Sequence, residues 1–77
     1  MEQSTARFLT LEQVAEELNT SVAQIYALVR RGELPAIRLG GRGQWRVERR
    51  RLEEFIETLY EQTERYVRDN PLTSAED

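Results

Sequence analysis

Three stretches of the chain repeat apolar residues at helical spacing, and two short runs between the second and third repeat them at every other position. Leu11, Val14, Ala15 and Leu18 recur at i, i+3, i+4 and i+7, the stripe of an amphipathic helix. Glu12, Glu16 and Glu17 take its other side. Over residues 21–31, Ile25, Leu28 and Val29 share a face, and Ala23, Gln24, Ala27, Arg30 and Arg31 lie off it. From about Arg49 to Asp69 the helical spacing returns with Leu52, Phe55, Ile56, Leu59, Tyr60, Tyr66 and Val67. Residues 36–39 and 44–47 alternate instead, as strands with one buried face do.

The boundaries of these stretches carry their own chemistry. Thr10 and Gln13 have capping-box spacing, and Leu9 and Val14 stand as a hydrophobic staple does. Ser21 and Gln24 repeat the capping-box spacing, and Gly32 stands where a positive-φ residue often closes a helix. Only Asn19-Thr20 separates the first two helices, so together they predict a helix-turn-helix whose second helix, residues 21–31, is the reading one. Glu33-Leu34-Pro35 breaks the helical pattern. Gly40-Gly41-Arg42-Gly43 supplies the turn of a hairpin. Within it Ile37 and Leu39 are expected on the inner face with Trp45 and Val47, and Arg38, Gln44 and Arg46 outward. Two strands are marginal alone, so the hairpin is expected to pack on the helices as a wing. Asn70-Pro71 ends the third helix. The expected fold is mostly α with a small β-hairpin wing: a winged helix-turn-helix of three helices plus a two-stranded wing, with a long C-terminal helix. Its divisions are a disordered arm over residues 1–7, the winged domain over 8–57, a helical extension over 58–70 and a disordered tail over 71–77.

Composition removes most chemistry. The chain of 77 residues has no cysteine and no histidine, which takes away disulfides, the usual zinc ligands and the commonest general base. No catalytic residue, metal or cofactor is expected, and the protein is read as not an enzyme. No apolar run is long enough to span a membrane, and the N-terminus lacks an apolar signal core. The expected location is cytoplasmic, at the nucleoid. Net charge is −3, but it is segregated. Residues 30–51 hold eight arginines against two glutamates, a balance of +6, and residues from 52 onward hold eight acids against two arginines, a balance of −6. That division predicts a basic working surface and an acidic appendage.

One continuous set of residues resembles the excisionase-like, MerR-related winged-helix family of phage excisionases and small bacterial regulators. It comprises Ser21, Ile25-Tyr26, residues 28–36 (Leu-Val-Arg-Arg-Gly-Glu-Leu-Pro-Ala), Arg38, Gly40, Trp45-Arg46-Val47 and Leu52-Glu53. The resemblance implies a second helix in the major groove and a wing in the adjacent minor groove of double-stranded DNA. It gives Ala23, Gln24 and Ala27 the base-facing positions and sets Tyr26 near the sugar-phosphate backbone. Arg30 and Arg31 would serve phosphates, and Arg38, Arg42 and Arg46 the wing. Ser21 is first a helix cap, with any phosphate contact secondary. Family members often carry basic or polar residues where this chain has Val22, Ala23 and Ala27. Direct readout then rests on Gln24, which can pair with adenine, and on alanine methyls against thymine, with groove shape supplying a further share.

The remaining features divide between structure and function. Trp45 reads mainly as core, with base stacking as the alternative. Arg49-Arg50-Arg51 opposes the helix dipole and is offset either by Glu53 and Glu54 or by a phosphate backbone. The surplus apolar residues of the C-terminal helix predict a weak homodimer or a cooperative oligomer on DNA. The leading function is a small DNA-binding protein, either a transcriptional regulator or an excisionase-like recombination directionality factor; a phage packaging subunit on the same fold is a third DNA-binding reading. The alternative class is an adaptor that keeps the winged scaffold and binds a protein partner through its acidic C-terminal helix.

Overall fold

The computed structural model describes residues 6–71. Of the arm expected over residues 1–7 only Ala6 and Arg7 fall within that range, and of the tail over residues 71–77 only Pro71. The elements run β1 (Phe8–Leu9), α1 (Leu11–Leu18), α2 (Val22–Arg30), β2 (Ile37–Leu39), β3 (Gln44–Glu48) and α3 (Arg49–Asp69). This is the winged helix-turn-helix layout: three helices and a small antiparallel sheet.

Both helix N-termini form as their caps dictate, with different completeness. The Thr10 hydroxyl accepts from the Gln13 amide N–H at 3.0 Å, and the Gln13 side chain accepts from the Thr10 N–H at 2.9 Å. That is the full reciprocal box. At Ser21 only the first half forms, the Gln24 N–H donating to the hydroxyl at 3.2 Å. The C-termini close alike. Asn19 (φ 56) and Gly32 (φ 78) take the left-handed conformation. The Thr20 and Glu33 amides reach back to the Ala15 and Leu28 carbonyls, both at 2.9 Å. These are Schellman closures, which satisfy carbonyls that a helix end otherwise leaves open.

The core is a single cluster drawn from every element except β2: Leu9, Leu11, Val14, Ala15, Ile25, Leu34, Val47, Leu52 and Phe55. Val14, Ile25, Val47 and Leu52 are completely buried. Leu34, which the sequence pattern assigns only to a break, is 1 % exposed. The Gly32 closure turns the chain so that this side chain drops beneath α2.

The sheet differs from expectation in two ways. It has three strands in the order β1-β3-β2, because Phe8 and Leu9 pair with Glu48 and Val47. The pairing is fastened at its end: the Arg49 N–H donates to the Arg7 carbonyl at 2.7 Å, and Arg49 Nε to the Ala6 carbonyl at 3.2 Å. The register also reverses one face of the wing. Ile37 lies opposite Arg46, Arg38 opposite Trp45 and Leu39 opposite Gln44. Residues opposed across an antiparallel pair share a face, so Trp45 and Val47 share theirs with Arg38. Ile37 and Leu39 are not on the inner face; they stand outward beside Arg46, 49 % and 45 % exposed.

α3 covers the core with Leu52 and Phe55 and then leaves it. Its 21 residues are about 31 Å long at 1.5 Å per residue. Leu59, Tyr60, Tyr66 and Val67 are exposed along the far half. Among the described residues no helix is long and apolar enough to cross a membrane.

Candidate nucleic-acid interface

α2 presents a face with no acidic residue. Ile25 is buried and Leu28 and Val29 are half-buried, so the opposite side is occupied by Ala23, Ala27 and Arg30, with Gln24 and Tyr26 at its edges. Ala23 and Gln24 are exposed, Ala27 is half-buried and Tyr26 is 40 % exposed. Since the Ser21 box is only half formed, the Gln24 carboxamide is not engaged by the cap and keeps both its donor and acceptor ends. Small alanines let a second molecule approach the helix backbone closely. Arg30, in the last turn, also complements the helix dipole.

The wing is organised by its turn. Gly40 (φ 71) and Gly43 (φ 75) hold conformations that a side chain resists, and the space around both is open. Between them Gly41 and Arg42 form the exposed tip. Arg38, on the inner face, has its guanidinium carbon 5.9 Å from the centroid of the Trp45 ring, a cation–π stack that orients it. Trp45 is half-buried against the core and forms one wall of a groove of about 590 Å³ between α2 and the wing. Tyr26, Val29, Arg30 and Pro35 line the same groove. Tyr26, Arg30 and Trp45 are thereby gathered around one opening, with Arg38 stacked on the Trp45 ring.

Arg46 is not gathered with them. It faces the other side of the sheet, half-buried, with Nη1 donating to the Trp45 carbonyl at 2.8 Å. The wing arginines therefore divide: Arg38 inward, Arg42 at the tip, Arg46 outward. Arg31 is also engaged. Its Nε and Nη2 donate to the two carboxylate oxygens of Glu33 at 3.1 and 3.4 Å, both side chains being about half exposed. The hydrogen bond first and the opposite charge second hold the Glu33 carboxyl below its ordinary value and raise the Arg31 guanidinium above its own.

Pairing separates the arginines into two groups. Arg49 meets Glu17 at 3.3 Å, Arg50 meets Glu54 at 3.6 Å and Glu48 at 4.0 Å, and Arg7 meets Glu48 at 3.1 Å. The first turn of α3 is thus neutralised largely from within the chain, although by Glu17 and Glu54 rather than by Glu53. Among the described residues Arg30, Arg38, Arg42, Arg46, Arg51, Arg65 and Arg68 have no carboxylate partner. Three of these seven, Arg30, Arg38 and Arg42, stand on α2, on the inner face of the wing and at its tip. Sequence reasoning singled out each of those three. It did not find the groove beside Arg30, whose signal was the joint demand of Tyr26 and Trp45 for partly buried positions.

The sequence comparisons agree with this geometry. A family model described as a helix-turn-helix domain matches residues 8–60. Two Mycobacterium tuberculosis sequences, from strains CDC 1551 / Oshkosh and ATCC 25618 / H37Rv, are each 36 % identical over 59 residues, covering 77 % of this chain and 73 % of theirs. Their names are "Putative DNA-binding protein MT0521" and "Putative DNA-binding protein Rv0500A". No solved structure matches the chain. The match spans α2, the wing and the core-covering part of α3, and the chain belongs to the helix-turn-helix domain family.

Proposed function

We propose that this protein binds double-stranded DNA, with α2 in the major groove and the tip of the wing in the adjacent minor groove, as a small transcriptional regulator or an excisionase-like directionality factor. One observation carries the reading: Arg30, Arg38 and Arg42 lack carboxylate partners among the described residues and line one side of the molecule, where α2 offers no acid. Family membership and the names of the mycobacterial relatives support it. Ala23, Gln24 and Ala27 meet base edges in this arrangement, Ser21 and Tyr26 lie near the backbone, and Arg31 reaches a phosphate only by loosening its hold on Glu33. Arg46 faces the sheet's other side and makes no contact from this face. Affinity is then dominated by phosphate contacts. Four to six of them give a log–log salt slope of about −3.5 to −5.5 per protomer.

Fluorescence anisotropy with a random-sequence duplex over a salt series tests this. A slope in that range, shallower by about one in Arg42→Ala, is the expected result. Absence of binding at low salt, or a flat response, overturns it. The exposed apolar stripe on α3 favours an additional role in self-association, which would raise specificity by placing several copies on one site. A single module buries only about 600–1,000 Å² on DNA.

A further inference from the structure

The register of the wing leaves an apolar surface that no part of the described chain covers. On the outer face of the sheet Phe8 (39 % exposed), Ile37 and Leu39 surround a shallow depression of about 160 Å³, with the Arg46 stem beside it. Its rim is basic. Arg7 lies over the Phe8 ring at 5.4 Å, and Arg51 borders the adjoining hollow with Phe8 and Ile37. Glu48, the one acid on this face among the described residues, is already paired with Arg7 and Arg50.

A second uncovered surface has the opposite charge. Beyond Phe55 the face of α3 that covers the core continues outward as Leu59, Tyr60, Tyr66 and Val67. Glu57 and Glu64, seven residues apart, run along the Tyr60–Val67 edge of that stripe. The helix cannot bring it back to its own sheet. α3 starts directly after β3, packs on the inner side and runs unbroken to Asp69. Pairing two such stripes is also disfavoured: in an antiparallel pair Glu57 meets the partner's Glu64, and Arg65 and Arg68 sit toward the back of the helix.

We infer that the far half of α3 docks on the outer sheet face of a second copy, head to tail. The acidic edge of the stripe meets the basic rim, and Leu59, Tyr66 and Val67 cover Phe8, Ile37 and Leu39. The lengths are comparable: residues 57–69 span about 20 Å as a helix, and the five residues of β3 about 17 Å. The contact is heterologous, so a pair of copies keeps one free donor helix at one end and one free acceptor sheet at the other, and the assembly is open-ended. The patch on each side is a handful of residues, so the association is weak. No DNA contact enters the inference, which stands or falls apart from the function proposed above.

Sedimentation equilibrium of the full chain without DNA provides the test. Leu39→Asp removes the acceptor face and Val67→Asp the donor face; both positions are exposed, and thermal melts by circular dichroism verify that each variant folds. The wild-type average mass should rise with concentration past that of a dimer and fall with added salt, since opposite charges attract across the contact. Each variant alone should be monomeric, and their equimolar mixture should form a heterodimer and nothing larger. Exchanging Glu57 and Glu64 for lysine should weaken association at least tenfold without disturbing the melt. The inference is overturned if Leu39→Asp associates as well as wild type, if association strengthens with salt, if the mixture stays monomeric, or if wild type is monomeric near 1 mM.

Discussion

α1 and α2 are built to one plan and finished differently. Each starts on a hydroxyl cap that accepts from the amide three residues on, and each ends on a left-handed residue with a Schellman closure. Each buries one stripe in the same core. Their outer faces are opposites: Glu12, Glu16 and Glu17 on α1, and Ala23, Ala27 and Arg30 on α2. Two helices of equal backbone chemistry are thus separated by surface charge alone into one that phosphates repel and one they attract. The caps differ in the same sense. α1 has the complete box, whereas α2 leaves its Gln24 side chain unspent. The supporting helix takes the stabilising bond and the presenting helix keeps the polar group.

The common plan is broken most severely through the core. Ile25→Ala, at a completely buried position, should cost about 2–5 kcal/mol, and Val14→Ala somewhat less. The former approaches the whole stability of so small a domain. Urea denaturation should show both with a lowered midpoint. An Ile25→Ala protein with an unchanged midpoint would mean that α2 is not anchored as described.

The caps sharpen the comparison at a smaller scale. Thr10→Ala disrupts a two-bond box and should lose about 1–2 kcal/mol, while Ser21→Ala removes a single bond and should lose about 0.5–1 kcal/mol. Equal losses in thermal melts would show that the second bond of the box contributes nothing.

The outer faces are separated by charge substitutions read on DNA. Arg30→Ala should weaken binding about five- to tenfold, roughly 1–1.4 kcal/mol, and make the salt slope shallower by about one. Glu16→Gln, on the corresponding side of α1, should leave affinity unchanged or slightly improved. Comparable losses from both would erase the distinction between reading and supporting helix.

The smallest effect concerns the end of α2. Because Arg31 holds the Glu33 carboxyl low, the ion pair adds stability above the ordinary value of 4.5 and loses it as pH falls through the lowered one. Both groups are solvated, so the change in folding stability is slight and is best read directly. A carboxyl NMR titration should find Glu33 below 4.5, and Arg31→Gln should return it to 4.5.

How far the sequence could be read depends on how far apart the interacting residues lie. The helix limits, the Thr10–Gln13 box and the left-handed closure at Gly32 depend on partners within about five residues, and the sequence pattern predicts each of them. The α3 limits, Arg49 and Asp69, were equally legible, being set by a period and a terminal Asn70-Pro71. β1 was not legible. Two residues make no alternation, and Phe8–Leu9 becomes a strand only through pairing with residues some forty positions away. The arginine pairs follow the same rule: Arg50–Glu54 is one turn apart, but Arg49–Glu17 spans 32 residues. Of the candidate site, Arg30, Arg38 and Arg42 have no carboxylate partner among the described residues, while Arg46 faces the other side of the sheet and Arg31 is ion-paired.

The wing marks the boundary most sharply. By alternation alone, Ile37 goes with Leu39 and Trp45 goes with Val47, and the structure keeps both pairs. Which side of β2 shares a face with which side of β3 is a matter of register, and a shift of one residue exchanges the faces. The four-residue turn from Gly40 to Gly43 pairs Leu39 with Gln44 and so sends Ile37 and Leu39 outward. Local sequence determined the helices, their caps and the acid-free face of α2, because backbone hydrogen bonding and period are short-range. Only the tertiary structure decided which arginines lie together and where the wing's apolar residues point, because those depend on strands and ion pairs meeting across the chain.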